Sequence, residues 1–329
     1  MNRRHFIGQA VVMATALAHG DSLVAKAQTQ GPQLGIGHRQ AGYYWHKVGD
    51  VDVIALSDGT LRSTAKLLSA TPDQVEELLK ASHVPSPRVT SVNAFLIIQG
   101  ERRILVDAGT GTLLGPTLNK LPGSLGAAGF KPEQITDILL THIHGDHSGG
   151  LTVDGKKVFP LATVHVNRAE ADFWLDPANM DKVGAYFRPM FASAKASLAP
   201  YAATGKVAPF EAGATVFPGI STQAAPGHTP GHSFYILESQ GERLVFFGDI
   251  VHAAEAQFPR PDVAIEYDLD PDAAIKQREQ AFFEAASQGH LVAGAHISFP
   301  GIGHVGKANP GYSWLAVPYV NDARGLQQT

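Results

Sequence analysis

From Tyr43 onward, short β-branched and apolar runs alternate with polar breaks rich in Gly and Pro. Runs at 51–56, 94–99, 103–106, 138–141 and 163–166 read as strands in the first half, and runs at 221–224, 233–237, 244–247 and 291–293 in the second. Two stretches between them, 72–80 and 271–288, place apolar residues among charged ones at helical spacing. The later one opens on Asp270-Pro271, a carboxylate at the N-cap followed by proline where a helix has no N–H to satisfy. Residues 174–199 mix Pro, Gly and aromatics with weak periodicity and are expected to be mobile. Strands and helices alternate in both halves without a low-complexity linker, which predicts one α/β domain.

The first 27 residues stand apart from this pattern. Arg3-Arg4 precede the mostly apolar segment 10–18 and the small-x-small triplet Ala25-Lys26-Ala27, the layout of an export signal. The paired arginines resemble a twin-arginine address, so a mature periplasmic chain is expected to begin near Gln28, with the functional domain covering 28–329. An apolar stretch of about nine residues is too short for a hydrocarbon core that needs about 20, so no stable membrane anchoring is expected.

Composition narrows the chemistry. The 26 Lys+Arg against 30 Asp+Glu leave a formal charge of −4, and beyond the first four residues no basic run is longer than a pair. A nucleic-acid partner is therefore not expected, because phosphate neutralisation needs clustered positive charge. With no cysteine, disulfides, thiolate nucleophiles and Cys-ligated metals are excluded. Any metal must be held by carboxylates and by some of the 15 histidines. The glycines of 107–115 do not match the dinucleotide fingerprint, no Gly-Lys pair is followed by Ser or Thr, and no G-x-S-x-G elbow occurs.

At the end of the run 138–141 stands His142-Ile143-His144-Gly145-Asp146-His147, four potential ligands within six residues. On a strand, i and i+2 side chains share a face, so His142 and His144 are expected to grip one ion from the strand end. Beyond the turn at Gly145, Asp146 and His147 can face a second ion.

That string resembles the signature of the metallo-β-lactamase superfamily, and the resemblance continues through Pro226-Gly227-His228-Thr229-Pro230-Gly231-His232, Gly248-Asp249 and His296. It implies a four-layer αββα sandwich. It also implies one ion on His142, His144 and His228, a second on Asp146, His147 and His296, and Asp249 shared between them. By the same pattern His232 makes structural hydrogen bonds and Asp107 orients a ligand histidine. The ligand types suit two divalent cations, zinc by default, with Mn, Fe or Co alternatives. Two such ions sharing a solvent molecule would supply a bridging hydroxide as nucleophile.

Further stretches, 171–175, 238–241, 256–258 and above all 298–304, resemble the methyl parathion hydrolase-like enzymes and their lactonase relatives, including dihydrocoumarin hydrolase-like ones. In that group Trp174 and Phe191 correspond to aromatic pocket residues; His252, Ile265 and Tyr267 stand where the organophosphate hydrolases have smaller or apolar residues, while Leu114 replaces an aromatic, which implies a narrower and more polar wall. His252 is expected to hydrogen-bond the substrate; His304 is a weaker pocket candidate. The implied activity is hydrolysis of lactones or aryl esters, with phosphotriester hydrolysis as a side activity and a homodimer as the expected assembly. Competing readings are a methyl parathion-type organophosphate hydrolase, a glyoxalase II-like thioesterase, a mononuclear-iron persulfide dioxygenase and a periplasmic metal-binding protein.

Overall fold

The structure is a computed structural model that describes residues 40–64 and 68–321. The export-signal segment lies outside the described residues. From Ala41 onward the chain forms one compact unit.

Its first sheet runs through β1 (Tyr43–Val48), β2 (Val51–Ser63), β3 (Arg88–Gln99), β4 (Arg102–Val106) and β5 (Asp137–Leu139), skips the small ribbon β6 (Thr152–Val153) and β7 (Lys156–Lys157), and ends with β8 (Thr163–Asn167) and β9 (Val207–Phe210). The hairpin half is antiparallel and the half from β4 to β9 parallel. A second sheet contains β10 (Thr215–Phe217), β11 (Ile220–Ala224), β12 (Ser233–Ser239), β13 (Glu242–Gly248), β14 (Leu291–Gly294), β15 (Ile302–Lys307) and β16 (Tyr312–Ala316), in that order. Only its β13–β14 pair is parallel.

Helices cover both outer faces. On the first sheet lie α2 (Leu121–Ala127), α4 (Arg168–Leu175) and α5 (Arg188–Ala202); on the second lies α7 (Pro271–Gln288). The short α1 (Pro72–Ala81), α3 (Gly145–Ser148) and α6 (Ala254–Gln257) sit over the strand ends. Because both sheet faces are covered, alternate residues of one strand enter different cores. Ile104 and Val106 of β4 face Phe246 and Leu237 between the sheets, whereas Leu105 packs outward with Leu125, Leu198 and Tyr201. In β13, Val245 and Phe247 turn out to Phe282 and Ala285 of α7. Continuous apolar runs are the signature of strands buried on both faces, and the four-layer αββα sandwich follows from them.

Several expected elements differ in detail. Helix α7 spans the predicted residues; Asp270 accepts from Ala273 N–H at its start and Gly289, at φ 69°, closes its end. The run expected to end at Thr141 leaves its sheet after Leu139, because Asp107 Oδ1 takes the Thr141 N–H at 2.8 Å in place of a neighbouring strand. His142 and His144 therefore project from a loop and a helix N-cap, not from a strand. Residues 174–199, expected to be mobile, carry most of the 15-residue helix α5. Its alanine-rich face masks the periodic Phe191, Ala194, Leu198 and Tyr201 that bury it.

Candidate metal centre

The centre forms where the loops after β4, β5, β13 and β14 meet the turn before β12. Asp249, buried, is its hub. Its Oδ2 lies 3.6 Å from His142 Nε2, 3.2 Å from His228 Nε2 and 3.0 Å from His252 Nε2. Its Oδ1 lies 3.0 Å from His147 Nε2 and 3.2 Å from His296 Nε2. His144 completes the first group, its Nδ1 3.0 Å from His228 Nε2. Asp146 completes the second, its Oδ2 3.3 Å from His296 Nε2 and 3.7 Å from His147 Nε2. Two sets thus gather potential ligand atoms within 4.8 Å of one another: His142, His144, His228 and Asp249, and Asp146, His147, Asp249 and His296. All seven residues singled out in the sequence come together.

Whether these groups suit cations is decided by their unpaired atoms. His142 Nε2, His144 Nε2, His147 Nε2 and Asp249 Oδ1 are buried and find no hydrogen-bond partner among the described residues. Buried polar atoms left in this way carry a desolvation cost of about 1–3 kcal/mol each. Lone pairs converging without protons between them are satisfied by divalent metal, and imidazole with carboxylate is a donor set for Zn, Mn, Fe or Co.

The opposite nitrogens of the ligand rings are tied down. His147 Nδ1 is 2.8 Å from Asp107 Oδ2, and His228 Nδ1 is 2.8 Å from Asp268 Oδ1. His296 Nδ1 is 2.9 Å from the Ser91 carbonyl. Carboxylates and carbonyls only accept, so each Nδ1 carries a proton and each Nε2 is the ring atom turned to the centre, where a cation would take the place of its proton. Asp107 itself sits at φ 60°, a left-handed conformation rare for a side chain that cannot be glycine, and also accepts from the Thr141 hydroxyl. His232 lies behind the centre: Asp249 N–H donates to its Nε2 at 3.0 Å, and burial brings its pKa down to about 3.

The supporting residues Asp268, Glu170, Thr141 and Ser91 were not singled out from the sequence. Asp268 lies two residues before the Asp270 cap with no pattern to mark it, and it also accepts from Ile265 N–H at 3.1 Å. Glu170, on α4, spreads its buried carboxylate over both ligand-bearing turns.

The expected pocket residues divide. His252 is in the centre, ring stacked on His296 at 5.0 Å, with burial lowering its pKa to about 4. Tyr267 lies 5.4 Å from His252, and Ile265 is buried beside it, bridged to Leu68. Leu114 is exposed on the loop after Asp107. Trp174 and Phe191 are both buried between α4 and α5, where Trp174 stands edge-on behind His144 at 5.3 Å. The Glu170 carboxylate turns the indole inward by accepting its N–H. His304 lies on β15, paired in register with Leu315 and coupled to His46 and His290, outside both ligand sets.

Charge coupling fixes a pH dependence. Burial lowers the pKa of His228, but hydrogen bonds to Asp249 and Asp268 outweigh it and raise it to about 9. For His296 the same contest, won by Asp249 and Asp146, ends at about 10. Groups raised above their unfolded value of 6.5 stabilise fully below that value and lose the effect as pH climbs through 9 to 10. Chelator-treated protein should therefore lose Tm between pH 7 and 10. Zinc-loaded protein should not, since cations displace those protons and bind better as pH rises. The Tm gap between the two forms should widen with pH; a constant gap would show that these imidazoles are not the ligands.

A sandwich of two covered sheets with paired His/Asp clusters at the strand ends defines a metal-dependent hydrolase. The profile of the Metallo-beta-lactamase superfamily matches residues 87–296, more than half the chain, and the chain belongs to that superfamily. It is similar to the hydrolase AbOPH of the β-lactamase superfamily, 39% identical with a TM-score of 0.83 over 86% of this chain and 100% of that one. It is also similar to AidC, a dizinc quorum-quenching lactonase solved with the product N-hexanoyl-L-homoserine, at 26% identity and a TM-score of 0.77 over 85% and 99% of the two chains. Among curated proteins, a ribonuclease of Thermus thermophilus is 27% identical over 184 residues, 55% of this chain and 40% of its own. The atrochrysone carboxyl ACP thioesterase of Passalora fulva is 26% identical over 162 residues, 48% of this chain and 38% of its own. The chain spans about two fifths of the length of these two relatives.

Proposed function

We propose that this hydrolase opens lactones or cleaves aryl esters with two zinc-like ions, and belongs to the methyl parathion hydrolase-like group with phosphotriester hydrolysis as a side activity. The observation that carries the reading is Asp249, which turns one carboxylate oxygen to each ligand set. Two divalent cations held by His142, His144, His228 and Asp249 and by Asp146, His147, Asp249 and His296 would supply hydroxide at neutral pH, by lowering the pKa of water toward about 7, and would polarise the carbonyl under attack.

The chain's own residues then orient and exclude. The Nδ1 tethers of His147, His228 and His296 hold their rings against rotation. His252, held neutral by burial, donates Nε2–H to Asp249 Oδ2 at 3.0 Å, so its Nδ1, with no hydrogen-bond partner among the described residues, is a free acceptor for the attacking water or for the hydroxyl of the departing group. A line of rings leads outward from it. Tyr267 follows His252, and Tyr186, 58% exposed, stacks on Tyr267 at 6.2 Å and 19°. That line supports a flat aryl or acyl group entering along it, whereas a tetrahedral phosphotriester fits a narrow polar wall less well.

AidC supports the lactone reading and the Passalora thioesterase supports acyl transfer to water in general. A nuclease reading, raised by the Thermus ribonuclease, is disfavoured by the charge of −4 and the lack of any basic run longer than two residues. Export to the periplasm and assembly as a homodimer remain part of the proposal.

The test is a substrate panel on zinc-reconstituted protein: aryl lactones, acyl-homoserine lactones, aryl esters, phosphotriesters and a β-lactam. Aryl lactones or esters should turn over fastest; dominant β-lactam or phosphotriester turnover overturns the reading. His252→Leu should lower kcat/KM for the ester by about a hundredfold, the scale of a lost polar group at a reacting oxygen. Unchanged ester and phosphotriester rates would remove His252 from the chemistry.

A further inference from the structure

We infer that Glu170 is the positioning residue that sets the gap between the two loops forming the first ligand set, and so governs binding of one ion and not the other. The inference rests on the two-ion reading above. Glu170 is fully buried in the first turn of α4, and its carboxylate accepts four hydrogen bonds. Oε1 takes Ile143 N–H at 2.9 Å and Trp174 Nε1–H at 2.8 Å. Oε2 takes the Thr229 hydroxyl at 2.7 Å and Gly231 N–H at 2.9 Å.

The partners explain what this arrangement does. Ile143 stands between His142 and His144, and Thr229 follows His228. One carboxylate therefore clasps the loop bearing two ligands of the first set to the turn bearing the third. Through Trp174 it also seats an indole edge-on behind His144. Gly231 shows how close the clasp must be: a Cβ there would meet Glu170 N at 2.2 Å, so no side chain is tolerated where the turn crosses α4. Asn167, the N-cap of the same helix, reinforces the junction, donating to Ser233 Oγ at 2.9 Å while accepting from Ala169 N–H.

None of these contacts reaches the second set. His147 is held by Asp107 and His296 by the Ser91 carbonyl. Asp146 bonds neither Glu170 nor its partners in any hydrogen bond of the described residues. The two sets thus rest on different carboxylates, Glu170 joining the two loops of the first and Asp107 holding His147 of the second, and they meet at Asp249 and at Thr141, whose Asp107-bound hydroxyl lies 3.1 Å from His142 Nδ1.

A carboxamide cannot substitute for this carboxylate. Glutamine presents one oxygen and one NH2, so one pair of donors would face another donor, and the backbone N–H groups of Ile143 and Gly231 cannot reverse their polarity. Glu170→Gln should keep the size of the side chain while opening the clasp.

The experiment is a zinc titration of chelator-stripped wild type and Glu170→Gln, read by ions retained per chain after gel filtration and by competition with a chromophoric chelator. Wild type should retain two ions. The variant should lose affinity at one site by about 10- to 100-fold, the usual cost of losing an outer support, and keep the other at its wild-type strength. Equal weakening of both sites, or neither, overturns the inference. A simple structural role would lower the Tm of the stripped protein without splitting the two affinities. Should Glu170→Gln fail to fold, Thr229→Val, which removes one of the four donors, decides: weakening at a single site supports the clasp and unaltered affinities overturn it. Failure of wild type to bind any zinc would instead sink the two-ion reading itself.

Discussion

Asp249→Asn is expected to reduce kcat/KM by about 10^3-fold or more and to leave fewer than two ions per chain. The substitution preserves shape but removes the negative charge that five imidazoles share. Those imidazoles hold the Asp249 pKa well below the carboxylate range against its burial, which measures how strongly the site uses that charge. A divalent ion contributes several kcal/mol to stabilising a developing oxyanion, and each 1.36 kcal/mol is tenfold in rate, which gives the size of the expected loss. Ion content by plasma mass spectrometry and steady-state kinetics check it together. A variant with two ions and wild-type turnover would contradict the sharing of this carboxylate.

Asp107→Ala should have the next largest effect, because three donors converge on that carboxylate. It accepts from Thr141 N–H and Thr141 Oγ1–H and holds His147 Nδ1–H. Removing it frees the His147 ring to rotate, and metal affinity at the second set should fall by about 10- to 100-fold. It also leaves the buried Thr141 N–H without an acceptor, a cost of about 1–3 kcal/mol to the fold. Zinc titration and thermal unfolding of the stripped protein measure the two effects separately. Unaltered affinity with a lowered Tm would reduce Asp107 to a brace for the strand end. The pairing with Glu170 is informative: Glu170→Gln should weaken the first set alone, whereas Asp107→Ala should weaken the second most and reach the first through Thr141 and His142.

The parts of this site legible in the sequence were those whose chemistry is local. His142, His144, Asp146 and His147 announce themselves because four ligands fall in six residues after an apolar run. His228, Asp249 and His296 were placed by resemblance, and they converge because β12, β13 and β14 are adjacent strands of one sheet that deliver their ends to the same rim. Asp268 and Glu170 were not legible. Each acts across the fold, Glu170 on a turn 61 residues away and Asp268 on a histidine 40 residues back, and no short spacing records such a contact.

The secondary structure shows the same division. Helix α7 carried its own start signal in Asp270-Pro271 and its bounds were read correctly. Strand β2 runs to Ser63, past the predicted end at residue 56. Ser57-Asp58-Gly59 has the composition of a turn, but Gly59, at φ 113°, is a bulge in a continuing ladder with β3. Asp58 is spent there on Thr110 and Leu121, bracing the loop that carries Asp107. Trp174 was placed in the pocket set by resemblance alone; Glu170 accepts its indole N–H and seats the buried ring behind His144, a contact no sequence spacing records.

The central claim is that hydrolysis requires both ligand sets filled. Chelator-stripped protein, titrated with zinc while aryl ester turnover and bound zinc per chain are followed together, tests it most directly. Turnover should be negligible without zinc and should level off only at two ions per chain. A plateau at one ion, or full turnover in stripped protein, would contradict it.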